Sequence, residues 1–117
     1  LIIDAMIGYG LVGDPRPPIS DWIEKANASK VDILSLDAPS GLNTTTGLSS
    51  DCCINAKATM TLAMPKIGLL TENGKKCVGE LYLADISVPP ELYAGPTLNL
   101  EPSNPFKNGT IVKILYQ

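Results

Sequence analysis

The sequence contains no histidine, and its three cysteines, Cys52, Cys53 and Cys77, form no C-x-x-C pair. With no imidazole to complete the ligand set, a structural zinc site is excluded. An odd cysteine count with two adjacent thiols reads instead as free cysteines in a reducing cytoplasm. Basic clusters are also missing. Nine Lys and Arg stand against twelve Asp and Glu, for a net charge of −3. Nothing in the chain could track a phosphate backbone, so nucleic acid is not expected as a partner. No apolar run approaches the ~20 residues of a membrane-spanning helix, so no membrane partner is expected either. Without a signal peptide, the N-x-[ST] matches at Asn27, Asn43 and Asn108 read as chance. An initiator methionine is absent as well. The chain opens "LIIDAM", inside what reads as a buried strand, so it is expected to be the C-terminal part of a larger domain.

What is present suits one small globular domain with a real core: 44% hydrophobic and 18% charged residues in 117. "LIID" (1–4) reads as a buried strand ending in an acid. "PISDWIEKANAS" (18–29) reads as a helix. Ile19, Trp22, Ile23 and Ala26 share its apolar face, and Pro18 suits its first position. "VDILSLD" (31–37) is the next strand, apolar enough to be buried on both faces. Further strands are expected at 57–64 and 80–88. The stretch 65–79 is turn-rich with perhaps one helical turn, and 110–117 is a final strand or docked extension. Strand–helix–strand order with buried strands implies parallel pairing and right-handed crossovers. The expected fold is α/β, a three-layer αβα Rossmann-like sandwich with a mainly parallel sheet, and residues 93–117 form a peripheral tail.

The loop after the first strand contains Gly8-Tyr9-Gly10-Leu11-Val12-Gly13, a literal G-x-G-x-x-G. A dinucleotide fingerprint needs its glycines to open a helix directly, so that a pyrophosphate rests on the helix N-terminus. Here Asp14 is followed by prolines at 15, 17 and 18. They bar helix until about residue 18, because a residue preceding proline is driven out of the α region. The fingerprint is a decoy and the glycines belong to an extended loop.

A different feature survives. Asp4 and Asp37 end the first two strands, which places both at the carboxyl edge of a parallel sheet, where ligands bind in open α/β folds. Asp85 near the end of the fourth strand and Lys66 just past the third lie along the same rim. Close carboxylates repel, so a cation, a shifted pKa or a polar ligand must offset them. Asp and Ser oxygens suit a hard cation. The alternative is that Asp4 and Asp37 merely accept backbone N–H bonds from the loops that follow them.

The blocks "DAMIGYGLVGDPRPPI", "LDAPSGLNTTTG", "MPKIGLL" and "GELYLADISVP" resemble the NAD(P)HX epimerase family, the YjeF N-terminal domain, whose vertebrate relative is also known as apolipoprotein A-I-binding protein. The resemblance runs from residue 1 to about residue 90. It implies a metabolite-repair isomerase that interconverts the R and S epimers of hydrated NADH and NADPH, so that a stereospecific dehydratase, its pathway partner, can restore the cofactor. Carried over by motif, Asp4 and Ser40 are ligands of a potassium ion, and Pro39 and Gly41 shape the turn that aims Ser40 at it. Gly8, Tyr9, Gly10, Leu11, Val12, Gly13 and Asp14 contact the substrate. Asp37 contacts it too and is the candidate general acid/base, since inverting a carbinol carbon beside a ring nitrogen requires proton transfer at oxygen. Lys66 reads as a solvated lysine, or as a partner for substrate phosphate. Asp85 reads as structural and Arg16 as a loop brace. The family's upstream Asn-Asn-Gly-Gly-Asp stretch is not in this chain, so the chain would be the C-terminal half of the domain, with half of the site, and a homodimer is expected. A non-catalytic scaffold of the same fold, serving nucleotide binding or dimerisation, is the alternative. Intact Asp4, Asp37 and Ser40 argue against it.

Overall fold

The computed structural model describes residues 1–100 and 104–116. Its elements run β1 (Ile2–Asp4), α1 (Ile19–Ala28), β2 (Ile33–Leu36), β3 (Ala58–Leu62), α2 (Ile67–Leu70), α3 (Lys75–Val78), β4 (Glu80–Ala84), α4 (Pro90–Ala94) and β5 (Ile111–Ile114). The five strands form one sheet in the order β1-β2-β3-β4-β5. β1 to β4 are parallel, and β5 closes the edge antiparallel to β4. The α/β class and the mainly parallel sheet are therefore as expected. The turn-rich stretch 65–79 holds two one-turn helices rather than one.

Register decides what each face does. Asp4 lies opposite Ser35, Ser35 opposite Thr59, Thr59 opposite Leu81, and Leu81 opposite Ile114. That row, with the Ile2–Ile33 pair, shares one face of the sheet, because side chains alternate along a strand. α1 packs on this face through Ile23, with Ile19 and Ala26, against Ile2, Ile33, Ile54 and Ala56. α2 and α3 pack there through Leu69, Cys77 and Val78 against Leu81, Leu42 and Ala38. Leu69, Leu81 and Ile54 are fully buried, each contributing about 1.5–3 kcal/mol by burial. On the opposite face Ile3, Leu36 and Ile111 are exposed. Of the expected three layers, the described residues thus build the sheet and one helical layer. Trp22, assigned from sequence to the packed face of α1, is 53% exposed and flanks it, leaving Ile23 as the anchor.

The proline run does what its chemistry requires. Helix begins only at Ile19, whose N–H, with that of Ser20, donates to the Arg16 carbonyl. Arg16 therefore braces the loop through its backbone, with its side chain exposed. α1 stops where Ser29 N–H donates to the Lys25 and Ala26 carbonyls and Lys30 turns to φ 58°. In the tail, β5 ends the sheet, and the Tyr116 hydroxyl donates to the Gly79 carbonyl at 3.1 Å. Gln117 of the expected final strand, and residues 101–103 of the tail, lie outside the described residues.

Candidate functional site

β1 delivers Asp4 to the carboxyl edge facing inward, where it is 2% exposed. Its neighbours supply only neutral donors. Oδ2 accepts from the Ser35 hydroxyl at 2.7 Å and from Ser40 N–H at 2.9 Å. Oδ1 accepts from the Ser40 hydroxyl at 2.6 Å and, more loosely, from Met6 N–H at 3.4 Å. The Ser40 hydroxyl in turn accepts from Ile7 N–H at 2.9 Å. A buried carboxylate is tolerable only when its lone pairs are filled in this way. The turn that aims Ser40 is set by Gly41. With φ at +101°, it packs so tightly that a Cβ there would sit 2.2 Å from the Cys52 carbonyl oxygen.

Asp37 belongs to a second, separate network. β2 ends at Leu36, and the chain then reverses through a γ-turn centred on Asp37, with φ 70° and the Ala38 N–H donating back to Leu36 O at 3.0 Å. β3 ends the same way. Ala63 has φ 64°, and Met64 N–H donates to Leu62 O at 2.7 Å. Positive φ at a non-glycine γ-turn centre is rare and strained, and such strain gathers at functional sites. The paired turns place Lys66, three residues beyond Ala63, against Asp37. Its ammonium donates to Asp37 Oδ1, to Thr61 Oγ1 at 3.0 Å and to the Leu62 carbonyl at 3.2 Å. The two charged side chains are 23% and 17% exposed. Lys66 is therefore neither a solvated lysine nor free for a phosphate. The offset to Asp37 is the lysine just past β3, which the sequence places on the same rim without pairing it with Asp37.

The glycine loop lies over this pair. Tyr9 N–H donates to Asp37 Oδ2 at 3.2 Å, and a Cβ on Gly8 would stand 3.0 Å from the same oxygen. Of the expected contact residues, Gly8 and Tyr9 are thus brought to Asp37. Gly13 and Asp14 instead border a hollow of about 220 Å³ shared with Gly41, Asn43 and Thr46. The Tyr9 side chain and Val12 point into solvent at 75% and 91% exposure. Asp85 is exposed beyond β4, where it accepts from Ser87 N–H at 2.7 Å, in keeping with the structural role expected of it. A larger cavity of about 810 Å³ opens beside Met64 and Pro65, walled by Leu83, Tyr93 and Phe106. Asp85 is at its wall, whereas Asp4, Asp37, Ser40 and the loop 8–14 do not line it.

Behind the Ser40 turn, Cys53 and Cys77 are buried as free thiols. The Cys53 thiol donates to the Ile54 carbonyl at 3.6 Å. The neighbouring Cys53 thiol draws Cys77 down from the ordinary thiol value, with Ser49 and Lys76 helping against the opposing effect of burial, and the same coupling together with burial pushes Cys53 up. Two signals for the partners of Asp4 and of the Asp37–Lys66 pair lay in the sequence unused, Ser35 inside an apolar strand and Thr61 inside another; the sequence places Lys66 on the rim but does not match it to Asp37.

A family model described as YjeF-related protein N-terminus matches residues 1–68. A NAD(P)H-hydrate epimerase of Dehalogenimonas lykanthroporepellens is 38% identical over 114 residues, covering 97% of this chain and 44% of that protein. The bifunctional NAD(P)H-hydrate repair enzyme Nnr of Hyperthermus butylicus is 44% identical over 98 residues, covering 82% of this chain and 18% of that protein. A NAD(P)H-hydrate epimerase of Weissella koreensis is 39% identical over 95 residues, covering 80% of this chain and 43% of that protein. The chain thus spans less than half the length of these relatives. The crystal structure of the yeast protein YNL200c superposes with a TM-score of 0.72 over 97% of this chain and 46% of that one, at 21% identity. That likeness shows a common fold.

Proposed function

The chain belongs to the YjeF-related N-terminal family, and from that premise we propose that it carries part of the active site of an NAD(P)HX epimerase, an isomerase of metabolite repair. The observation that supports the reading most directly is Asp37. It is a poorly exposed carboxylate at the carboxyl edge, held on one oxygen by Lys66 and on the other by a glycine-loop amide. The relatives' names point to hydrated NADH or NADPH as the substrate. Asp37 takes the O–H proton of the ring carbinol as the ring carbon–nitrogen bond breaks, leaving an aldehyde and a ring nitrogen that takes up a proton, and returns a proton to the oxygen when the nitrogen re-adds to the other face. In the alternative route the nitrogen's electron pair expels the hydroxyl, which leaves as water on a proton from protonated Asp37, and water re-adds from the other face. Gly8 and Tyr9 bring the loop close enough to hold the substrate beside that carboxylate. Gly10, Leu11, Val12, Gly13 and Asp14 extend the contact outward, with amides that suit phosphate oxygens.

Asp4 and Ser40 would hold a potassium ion through their oxygens by displacing a donor now on the carboxylate, the loose Met6 amide at 3.4 Å first. Both offer hard oxygens, the Ile7 carbonyl lies 3.4 Å from the Ser40 hydroxyl, and no ion pair engages Asp4 among the described residues. Bound there, it would supply positive charge beside a buried carboxylate. The remaining ligands, and the rest of the pocket, would come from an upstream half of the domain. A homodimer, a dehydratase acting next in the pathway, and a cytoplasmic location complete the proposal. Among the described residues no helix is long and apolar enough to cross a membrane.

The test is epimer exchange in protein carrying the whole domain. Mixed NADHX epimers are followed by chromatography, in potassium and in a bulky organic cation, with Asp37→Asn alongside. Exchange that falls about 10²–10⁴-fold in Asp37→Asn and weakens without potassium is the expected result. A folded, potassium-loaded wild type that exchanges nothing would leave the scaffold reading in its place.

A further inference from the structure

We propose that Lys66 is a positioning residue, acting in the reaction through Asp37 rather than on the substrate. The inference rests on the epimerase reading and assigns a role to a side chain that the motif comparison left open.

The first argument is a count of donors. A lysine ammonium has three hydrogens and no acceptor capacity. Here three acceptors take them: Asp37 Oδ1, Thr61 Oγ1 and the Leu62 carbonyl. None is left over for a phosphate. The second argument is immobilisation. A lysine stem is flexible, and an exposed ion pair gives up most of its gain to that freedom. Thr61 and Leu62 belong to the end of β3 and cannot follow a wandering ammonium. They fix Lys66, and Lys66 in turn fixes Asp37. The pair is also mostly shielded from water, so its attraction is stronger than that of a surface pair.

The third argument is direction. With Lys66 on Oδ1 and Tyr9 N–H on Oδ2, the carboxylate cannot rotate about its Cβ–Cγ bond without losing both partners. One lone pair remains on Oδ2, beside the Gly8–Tyr9 loop where the proposed substrate lies. A general base must present a lone pair within about 3 Å of the proton it removes, and Lys66 makes that presentation permanent. The backbone supports this aim. Two γ-turns with positive φ, at Asp37 and Ala63, set the ends of neighbouring strands, and Asp37 N–H donates to the Met60 carbonyl at 2.8 Å.

The experiment is a double-mutant cycle on epimer exchange, in protein carrying the whole domain. Lys66→Met is expected to lower kcat about 10- to 100-fold, the scale of a misplaced catalytic group, with KM changed less than about threefold because Lys66 touches no substrate. Lys66→Arg recovers part of kcat, since it keeps the charge. In an Asp37→Asn background, Lys66→Met costs nothing further, because the group it positions is already gone. Lys66→Gln, which keeps donors without the charge, is measured beside Lys66→Met so that a folding failure of one leaves the cycle intact. A raised KM with unchanged kcat, or losses that multiply in the double variant, would overturn the proposal while leaving the epimerase reading standing. An inactive wild type removes the epimerase reading and this proposal together.

Discussion

Replacing Asp4 by asparagine tests the buried hub with almost no change of shape. The carboxylate accepts four hydrogen bonds, two on each oxygen. Asparagine keeps one oxygen and puts an NH₂ group in the place of the other. If the NH₂ replaces Oδ2, it meets Ser40 N–H, a donor that cannot turn away. If it replaces Oδ1, the Ser40 hydroxyl can rotate to accept, but Met6 N–H then faces a donor. The second arrangement costs less, because the Met6 bond is the longest of the four at 3.4 Å. Even so, it leaves one donor without a partner, at about 1–3 kcal/mol. It also strips the charge assistance from the bonds that remain. Relief from burying a charge returns part of this. The expected net loss is about 2 kcal/mol, which at a urea slope of roughly 2 kcal/mol per M lowers the unfolding midpoint by about 1 M. Urea titrations at pH 7 should be run in potassium chloride and in tetramethylammonium chloride. A potassium ion at Asp4 and Ser40 would stabilise the wild type in the first salt only, and the variant would lose that difference. An Asp4→Asn midpoint within about 0.2 M of wild type in both salts, a fifth of the slope-based expectation, would refute both the hub and its cation.

Two further outcomes follow from the same region. Gly41→Ala should lower stability by more than about 3 kcal/mol, or prevent folding, because its Cβ would overlap the Cys52 carbonyl at 2.2 Å and its φ is +101°; a urea midpoint near wild type would mean that the Ser40 turn is not packed as described. The thiol pair should make stability depend on pH. Cys77 is lowered from 9.0 to about 7 in the folded state, so between about pH 7 and 9 the unfolded chain holds more protons and stability rises with pH. Cys53 is raised, so above about pH 9 the folded chain holds more protons and stability falls. Urea midpoints of wild type against Cys77→Ala across pH 6.5–10 should show the difference peaking near pH 9; a flat difference would refute the coupling of the two thiols.

Much of the scaffold could be read from pattern because the physics there is local. A helix that cannot start before the prolines end starts at Ile19. Apolar strands that end in acids put those acids at one edge. What could not be read depended on register and on turns. Whether Asp4 and Asp37 share a site turns on which face each one takes, and a single residue of register decides that. Asp4 faces the covered side with Ser35, whereas Asp37 sits past the strand in a γ-turn. Alanine has no preference for positive φ, and the general tolerance of aspartate for it does not single out Asp37, so the turns at Asp37 and Ala63 could not be placed from composition. Without them, Lys66 could not be brought to Asp37. The uncovered sheet face was equally invisible, because β2 reads as buried on both sides.

The two acidic networks are separate at the carboxylates but joined by the loop between them. Ser40 holds that loop by the amide of Ile7, and Asp37 holds it by the amide of Tyr9. Only Gly8 separates the two clamps, and it passes so close to Asp37 that no side chain fits comfortably. Beyond Tyr9 the loop leaves the sheet and the exposed Val12 projects into solvent. Anything that moves Ser40, whether a cation at its hydroxyl or a shift of the Gly41 turn over the cysteines, therefore moves Ile7. Through Gly8 it also moves the amide that helps to aim Asp37. A cation at Asp4 and Ser40, if one binds as proposed, would then act on the proposed base Asp37 through this loop and not through the substrate.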